Sequence, residues 1–170
     1  MFNVLILCTA NSARSILGEA ILNRAGAGRF KAYSAGSHPR GTPNPRAIEL
    51  LSSLGYRVDE LLSKSWNVFV GPDAPKIDLV ITVCDAAAGE TCPYFPGAPM
   101  KAHWGIPDPA GAPGGVEVER AAFRVAYDRL LTRMQALAAL PIQSMKQDEL
   151  QLSLNEIAKL EGATAAAQNT

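Results

Sequence analysis

Three cysteines, Cys8, Cys84 and Cys92, are the side chains best suited to chemistry in this 170-residue chain. A thiolate is a strong nucleophile, and two thiols can supply two electrons by becoming a disulfide. An odd number of cysteines leaves at least one thiol outside any internal pair. The surroundings of each cysteine therefore decide which chemistry is open to it.

Cys8 begins a polar, small-residue loop between an apolar run and a segment with helical spacing. Backbone amides of such a loop can converge on an anion at the positive end of the helix. Arg14 can hold two oxygens of a tetrahedral anion, and its charge favours the thiolate of Cys8. Ser15 can donate a hydrogen bond to sulfur. The loop therefore predicts attack by Cys8 on a phosphate-like oxyanion. Its sequence is Cys8-Thr9-Ala10-Asn11-Ser12-Ala13-Arg14-Ser15, and residues 9–14 would bind the anion.

A carboxylic acid near this loop is also needed, because an unprotonated oxygen is a poor leaving group. Asp108 is the candidate, since Pro107 and Pro109 on either side restrict where its carboxyl group points. An ordinary turn that begins at this aspartate is the alternative interpretation. His103 ends a strand beside Trp104, and we interpret it as a structural hydrogen-bonding group.

The cysteine, five residues, Arg-Ser pattern near the N-terminus resembles the signature of the low-molecular-weight protein tyrosine phosphatase superfamily. The resemblance covers about Phe2 to Leu140. It implies a four-stranded parallel sheet of flavodoxin-like topology, with the catalytic loop at the carboxyl end of the first strand. It also implies that Asp108 corresponds to the Asp-Pro general acid of that family.

A phosphatase of this design needs one cysteine, because water resolves the intermediate and no electrons are transferred. The motifs Val83-Cys84-Asp85, Gly89-Glu90-Thr91-Cys92-Pro93 and His103-Trp104-Gly105 are similar to those of the arsenate reductase branch of the superfamily. That resemblance implies that Cys8 attacks arsenate, that Cys84 attacks Cys8 as arsenite leaves, and that Cys92 resolves the Cys8–Cys84 disulfide. It further implies a role in arsenic detoxification.

The spacing of the two later cysteines constrains this reaction. If residues 84–92 were helical, the two Cα atoms would lie about 12 Å apart, twice what a disulfide allows. The segment must therefore be a loop already or unfold during turnover, and Gly89 makes such a rearrangement easier. The interval is one residue longer than in the branch best known for thioredoxin coupling. The sequence therefore leaves two candidates for the external reductant, thioredoxin and glutathione with glutaredoxin. No tightly bound cofactor is expected.

Two rival functions remain open at this stage. A tyrosine phosphatase is the first, although phosphatases of the family usually carry an aromatic residue where this chain has Ala110. A non-catalytic oxyanion-binding regulator is the second, although such a protein would not require Asp108. No metal is required, but Asn11, Glu19 and Ser34 resemble positions that bind potassium in some members; ordinary helix and strand packing is the other interpretation.

The elements that must position these residues alternate along the chain. Strands are predicted at Asn3–Leu7, Phe30–Ser34, Asp78–Val83 and Lys101–Trp104, and helices at Ser15–Ala25, Asn44–Leu54 and Val116–Leu140. This alternation predicts an α/β three-layer sandwich with a parallel sheet covered on both faces. Residues 1–140 would form the catalytic domain. Residues 141–170 would form an extension, partly helical or disordered, with a helix at Gln147–Leu160 that packs on the domain or supports a dimer.

Composition limits the partners. The 16 Lys and Arg residues balance the 16 Asp and Glu residues, so no net field would gather nucleic acid or an anionic membrane. The apolar start of the chain lacks the pattern of a signal peptide. We therefore expect a cytoplasmic protein with free thiols, a monomer or a weak dimer, whose partners are an oxyanion and thioredoxin or glutaredoxin.

Overall fold

The computed structural model describes residues 1–91, 93–97 and 99–169. It contains one four-stranded sheet, which is parallel throughout and has the strand order β2-β1-β3-β4. The strands are β1 (Phe2–Leu7), β2 (Phe30–Ala35), β3 (Leu79–Thr82) and β4 (Met100–His103). The predicted α/β fold with a four-stranded parallel sheet is confirmed, and each predicted strand lies within one residue of an observed one at either end.

In the described residues, three α-helices lie between consecutive strands and three follow β4. They are α1 (Arg14–Ala25), α2 (Pro45–Ser53), α3 (Asp85–Gly89), α4 (Val116–Ala139), α5 (Gln147–Ala158) and α6 (Ala165–Gln168), with a short 3₁₀ helix at Trp66–Phe69. The sequence pattern did not predict α3, α6 or the 3₁₀ helix. These three elements are short, with at most five residues each, and hydrophobic periodicity cannot be read from so few positions.

The two faces of the sheet are covered differently. One face packs its inward residues, such as Val4, Ile6 and Ile81, against α1, α2, α4 and α5 in a single hydrophobic cluster. The other face is covered by Phe69 of the 3₁₀ helix and by Ile77 and Phe95 of the connecting segments. The second covering layer is therefore thinner than the long helices of the first.

The helix α5 packs on the edge strand β4. Leu150, Leu154 and Ile157 are buried in the same cluster as the strands of the sheet. The indole Nε1 of the fully buried Trp104 donates a hydrogen bond to the carbonyl of Leu154 at 3.0 Å. Because a buried indole N–H without an acceptor is unfavourable, this bond fixes the register of α5 against the end of β4.

A buried arginine on α4 holds the turn that follows α5. Arg133 is fully buried, and its guanidinium donates to the carbonyls of Leu160 at 2.7 Å and Glu161 at 3.2 Å. The chain then turns at Gly162, whose φ is +79°, and the amide of Thr164 donates to the carbonyl of Gly105 at 2.9 Å. Residues 159–169, called the tail segment below, are thereby directed toward the carboxyl end of β4.

None of the helices in the described part of the chain combines the length and the apolar character needed to cross a membrane.

Replacing Leu154 by Ala should lower the free energy of unfolding by about 2–5 kcal/mol, because the substitution leaves a cavity between α5 and the sheet. Leu152 lies on the same helix but is 67% exposed, so Leu152→Ala should change that free energy by no more than about 0.5 kcal/mol. Urea denaturation of the two variants measures both. Equal, small effects would show that α5 does not contribute to the core.

Candidate active site

The loop of residues 8–15, called the Cys8 loop below, lies at the carboxyl end of β1. The chain leaves β1 toward β2 on one side, and β3 pairs with β1 on the other side. This is the point where the strand order reverses, and the carboxyl ends of parallel strands open a crevice there. The sheet therefore places Cys8 at the usual ligand-binding position of such folds.

The backbone of the Cys8 loop presents donors to an anion. Within the described residues, the amides of residues 11–16 find no acceptor in the backbone or in a side chain, although Asn11, Ser12, Ala13 and Ser15 are buried. Buried amides without partners are unfavourable unless a ligand accepts from them. Their position at the start of α1 adds the positive end of the helix dipole. The loop is thus a preformed site for an anion.

Asn11 holds the shape of this loop. Its φ is +41°, in the left-handed region. Its side-chain amide donates to the hydroxyls of Ser15 and Ser34, each at 2.9 Å, and its carbonyl oxygen accepts from the amide of Lys64 at 2.7 Å. Ser15 is fully buried with this bond to Asn11. Asn11 therefore connects the loop to β2 and to the segment that precedes the 3₁₀ helix.

Gly36, which the sequence analysis did not single out, allows this close packing. A Cβ atom at Gly36 would overlap the carbonyl oxygens of Cys8 and Thr9. The amide of Gly36 donates to the carbonyl of Lys64 at 3.0 Å. In the sequence, a glycine directly after a predicted strand indicates such a close approach of the backbone.

Cys8 and Cys84 lie side by side, because they follow the adjacent strands β1 and β3 at the same edge of the sheet. The two side chains are almost completely buried. The interaction with Cys84 and burial raise the pKa of Cys8, whereas the Arg14 guanidinium and the amide of Ala10 oppose this rise. The interaction with Cys8 lowers the pKa of Cys84 to about 5. Of the two thiols, Cys84 is therefore the more readily ionised.

Groups around Cys84 stabilise its thiolate further. Cys84 is the N-cap of α3, and its Sγ accepts from the amide of Ala87 at 3.4 Å. The hydroxyl of Thr9 lies 3.7 Å from the same sulfur and donates to Glu90 Oε1 at 3.0 Å. The amides of Thr9 and Ala87 donate to the sulfur and lower its pKa by stabilising the anion. Thr9 thus links the Cys8 loop to both ends of α3.

Arg14 and Asp108 form the opposite wall. One terminal nitrogen of Arg14 donates to the carbonyl of Ile106 and the other to Asp108 Oδ2, each at 2.9 Å. The Nε of Arg14 is buried and has no partner among the described residues. Asp108 is about half exposed. Arg14 therefore retains a free donor toward the loop and brings the carboxyl group of Asp108 to its rim.

A second hydrogen-bonded chain lies beside the pair, at the first residue of α3. Asp85 Oδ1 accepts from His103 Nε2 at 2.9 Å and from the hydroxyl of Thr164 at 2.7 Å. His103 Nδ1 is 2.8 Å from the hydroxyl of Thr82. Partial burial raises the pKa of Asp85, but the hydrogen bonds from Thr164 and His103 lower it below its usual value. His103 thus makes hydrogen bonds that join β3, β4 and α3.

The three residues predicted near a potassium ion do lie together. Ser34 donates to Glu19 Oε2 at 2.5 Å and accepts from Asn11. The ammonium of Lys64 is 3.8 Å from the same carboxylate oxygen, so a potassium ion would share Glu19 with Lys64. Burial raises the pKa of Glu19, although Lys64 and Ser34 act in the opposite direction. Among the described residues, no group of three or more His, Cys, Asp or Glu side chains could hold a metal ion.

Cys92 lies outside the described residues, so its predicted role as resolving thiol stays a prediction. The residues before it are described: α3 is a helix of one turn over Asp85–Gly89, and Glu90 is extended. The structure therefore brings together Cys8, Cys84, Arg14, Ser15 and Asp108 around one loop, with Thr9 to Ala13 forming the loop itself.

Removing one thiol of the pair should shift the pKa of the other. In a Cys92→Ser background, Cys8→Ala should raise the pKa of Cys84 above about 5, because the principal hydrogen bond to its thiolate is lost. Cys84→Ala should lower the pKa of Cys8, because the group that chiefly raises it is gone. The pH dependence of alkylation by iodoacetamide, followed by mass spectrometry, measures both. An unchanged pH profile for Cys84 without Cys8 would contradict the pairing.

Comparison with known proteins identifies the family of this chain. The model of the family "low molecular weight phosphotyrosine protein phosphatase" matches residues 3–151. Curated relatives include the arsenate reductase of Halalkalibacterium halodurans, 33% identical over 79% of this chain and 94% of that protein, and the arsenate reductase of Bacillus subtilis, 32% identical over the same shares. The solved structure of an arsenate reductase from Archaeoglobus fulgidus is 26% identical, covers 81% of this chain and 99% of that chain, and superposes with a TM-score of 0.63. The chain therefore belongs to the low molecular weight phosphotyrosine protein phosphatase family.

Proposed function

We propose that this protein reduces arsenate to arsenite, with Cys8 as the nucleophile and Cys84 and Cys92 as the thiols that supply and pass on electrons. The observation that carries the proposal is the placement of two buried thiols, Cys8 and Cys84, side by side at the ends of adjacent strands and next to an anion-binding loop. A hydrolytic enzyme has no need of a second thiol there, whereas a two-electron reduction requires one. The arsenate reductases among its relatives support the same assignment.

Binding of arsenate starts with an exchange of hydrogen-bond partners. The amides of residues 11–16 donate hydrogen bonds to the oxyanion, and so does the Nε of Arg14, which is buried without a partner among the described residues. An anion in the loop competes with Asp108 for the terminal nitrogens of Arg14, which now bind Asp108 and Ile106. A carboxyl group that loses its arginine beside a bound anion binds a proton more tightly. Substrate binding therefore prepares Asp108 to act as an acid.

The first chemical step forms a sulfur–arsenic bond. Cys8, beside Arg14, reacts as its thiolate while Cys84 holds a proton, and the Cys8 sulfur attacks arsenic. A hydroxyl group of arsenate takes the proton of Asp108 and leaves as water, and the product is a Cys8 thioester of arsenate. The arsenic is still in its oxidised state. The loop amides stabilise the charge on the remaining oxygens throughout.

The second step transfers the electrons. Cys84 loses its proton to water, its thiolate attacks the sulfur of Cys8, a sulfur–sulfur bond forms, and the sulfur–arsenic bond breaks with its electron pair on arsenic. Arsenite leaves and takes up protons from water, and two thiols have been oxidised to one disulfide. The amides of Thr9 and Ala87 stabilise the thiolate of Cys84. This step needs the two sulfurs to approach each other, which their positions at the ends of adjacent strands favour.

The third step restores Cys8. The thiolate of Cys92 attacks Cys84 and releases Cys8, and an external thiol then reduces the Cys84–Cys92 disulfide. The helix α3 separates these two cysteines in sequence, so it must unwind for the bond to form. Either thioredoxin or glutathione with glutaredoxin can serve as the reductant, which places the reaction in the reducing cytoplasm.

The tyrosine phosphatase alternative is less well supported by the rim of the site. Ala110 follows Asp108 and Pro109 and is partly buried against the hydrophobic core. Its methyl group cannot stack on an aromatic ring, which a phosphotyrosine substrate would present to this rim. Small oxyanions need no such contact.

Loss of Cys84 should abolish the reduction. The reduced wild-type protein, incubated with arsenate and no added reductant, should form one arsenite per chain, whereas Cys84→Ser should form none. Cys92→Ser should still form one arsenite but fail to turn over when thioredoxin or glutaredoxin is supplied. Arsenite and free thiols are counted in each sample. Arsenite formation by Cys84→Ser at the wild-type rate would refute the proposal, and steady phosphatase turnover insensitive to this change would support the rival.

Replacing Asp108 by Asn should slow arsenite formation about 10²- to 10⁴-fold, because the leaving oxygen receives no proton. Asp128→Asn is the matched control, since it breaks an exposed ion pair with Arg124 on α4, far from the Cys8 loop, and it should leave the rate unchanged. Single-turnover assays with each variant measure the effect. Equal rates for the two variants would exclude Asp108 as the acid.

A further inference from the structure

We propose that Thr164, in the tail segment, is a positioning residue for Cys84 and acts by holding Asp85 together with His103. The inference deepens the proposed function, since it names a residue required to align the second thiol with the first. The family match ends at residue 151, so Thr164 lies beyond the part of the chain that the family shares.

Two other segments of the chain, the end of β4 with Gly105 and the tail segment, converge on Asp85. The carboxylate follows Cys84 directly and accepts hydrogen bonds from His103 and from Thr164 on the same oxygen. Gly105 completes the contact, because a Cβ atom there would overlap both Asp85 and Thr164. The backbone of Thr164 is fixed as well, since its amide donates to the carbonyl of Gly105 at 2.9 Å. A carboxylate with two donors on one oxygen is strongly held.

The position of Thr164 is itself determined by the core of the protein. Arg133, fully buried in α4, donates to the carbonyls of Leu160 and Glu161. The next residue, Gly162, packs so closely on Arg129 that a Cβ atom would overlap that side chain. Hydrogen bonds and close packing therefore hold the backbone from α4 through this turn to Thr164. The position of Asp85 thus depends on the core through the tail segment.

The two ends of α3 are held unequally. At its start, Asp85 has the hydrogen bonds described above, and Cys84 contacts Cys8. At its other end, the carboxylate of Glu90 accepts one hydrogen bond from Thr9, and Gly89 closes the helix. When α3 unwinds to bring Cys92 to Cys84, the weakly held end therefore moves and the anchored end stays. Thr164 keeps Cys84 beside Cys8 throughout the reaction.

The test measures how readily Cys84 forms a disulfide with Cys8, in the full chain with Cys92→Ser and without arsenate. Equilibration in glutathione redox buffers gives the effective concentration of one thiol toward the other. Thr164→Val should lower this value about tenfold, the size of a lost hydrogen bond to a charged group. Thr164→Ser should restore it. Ser153→Ala is the control, because it removes a hydroxyl from α5 that bonds only within its helix, to the carbonyl of Glu149.

A double-mutant cycle separates positioning from a general loss of structure. The hydroxyl of Thr164 also caps α6 through the amide of Ala167, and loss of that cap would act whether or not Asp85 is present. In an Asp85→Ala background, Thr164→Val should therefore change the effective concentration by less than about twofold. An undiminished effect in that background, or no effect of Thr164→Val in the parent, would overturn the inference. Wild-type protein that fails to reduce arsenate would refute the proposed function but leave this measurement intact.

Discussion

The placement of Cys8 beside Cys84 is the constraint on which the site depends. It follows from the parallel pairing of β1 and β3, in which Leu7 lies opposite Thr82. Cys8 is the first residue after that pair on one strand, and Cys84 is the second on the other. Because parallel strands end at the same edge of a sheet, a one-residue change of register would move one thiol about 3.3 Å along the strand direction relative to the other. The hydrophobic residues that fix the register of the sheet therefore also fix the distance between the two thiols.

The groups that attract an anion to this site are local, and they are in position before an anion binds. The chain carries no net charge, so attraction of an oxyanion depends on the amides of the Cys8 loop and on Arg14. These donors are already in place, held by Asn11 and by the close approach of Gly36. Preorganised donors cost little reorganisation when an anion binds or when charge develops on it. The same arginine is bonded to Asp108, so one side chain connects the anion-binding loop to the carboxyl group at its rim.

The tail segment extends the site beyond the shared fold. The helix α5 packs on β4 through Trp104 and Leu154, and Arg133 fixes the turn that follows. A long-range hydrogen bond from Thr164 then reaches the residue next to Cys84. The core and the site are therefore connected by packing and hydrogen bonds that end at the solvent-exposed side chain of Asp85, which differs from a flexible extension attached to a finished domain.

The sequence by itself determined what is local in this protein. The spacing of Cys8, Arg14 and Ser15 specifies an anion-binding turn, and prolines on both sides of Asp108 restrict its carboxyl group. The apolar runs predicted the strands, because a buried parallel strand is apolar on both faces. These features depend on neighbours within a few residues, so their physics can be read along the chain.

The tertiary structure alone decided what depends on distant parts of the chain. The contact of Cys8 with Cys84 needs two strands separated by about seventy residues, and the hydrogen bond from Thr164 to Asp85 spans 79 positions. A glycine after β2 is visible in the sequence, but the approach of the Cys8 and Thr9 carbonyls that requires it is seen only in the fold. Spacing along the sequence carries no information about which side chains meet across a sheet edge. That information comes from strand order, register and the packing of the helices, which the whole core fixes together.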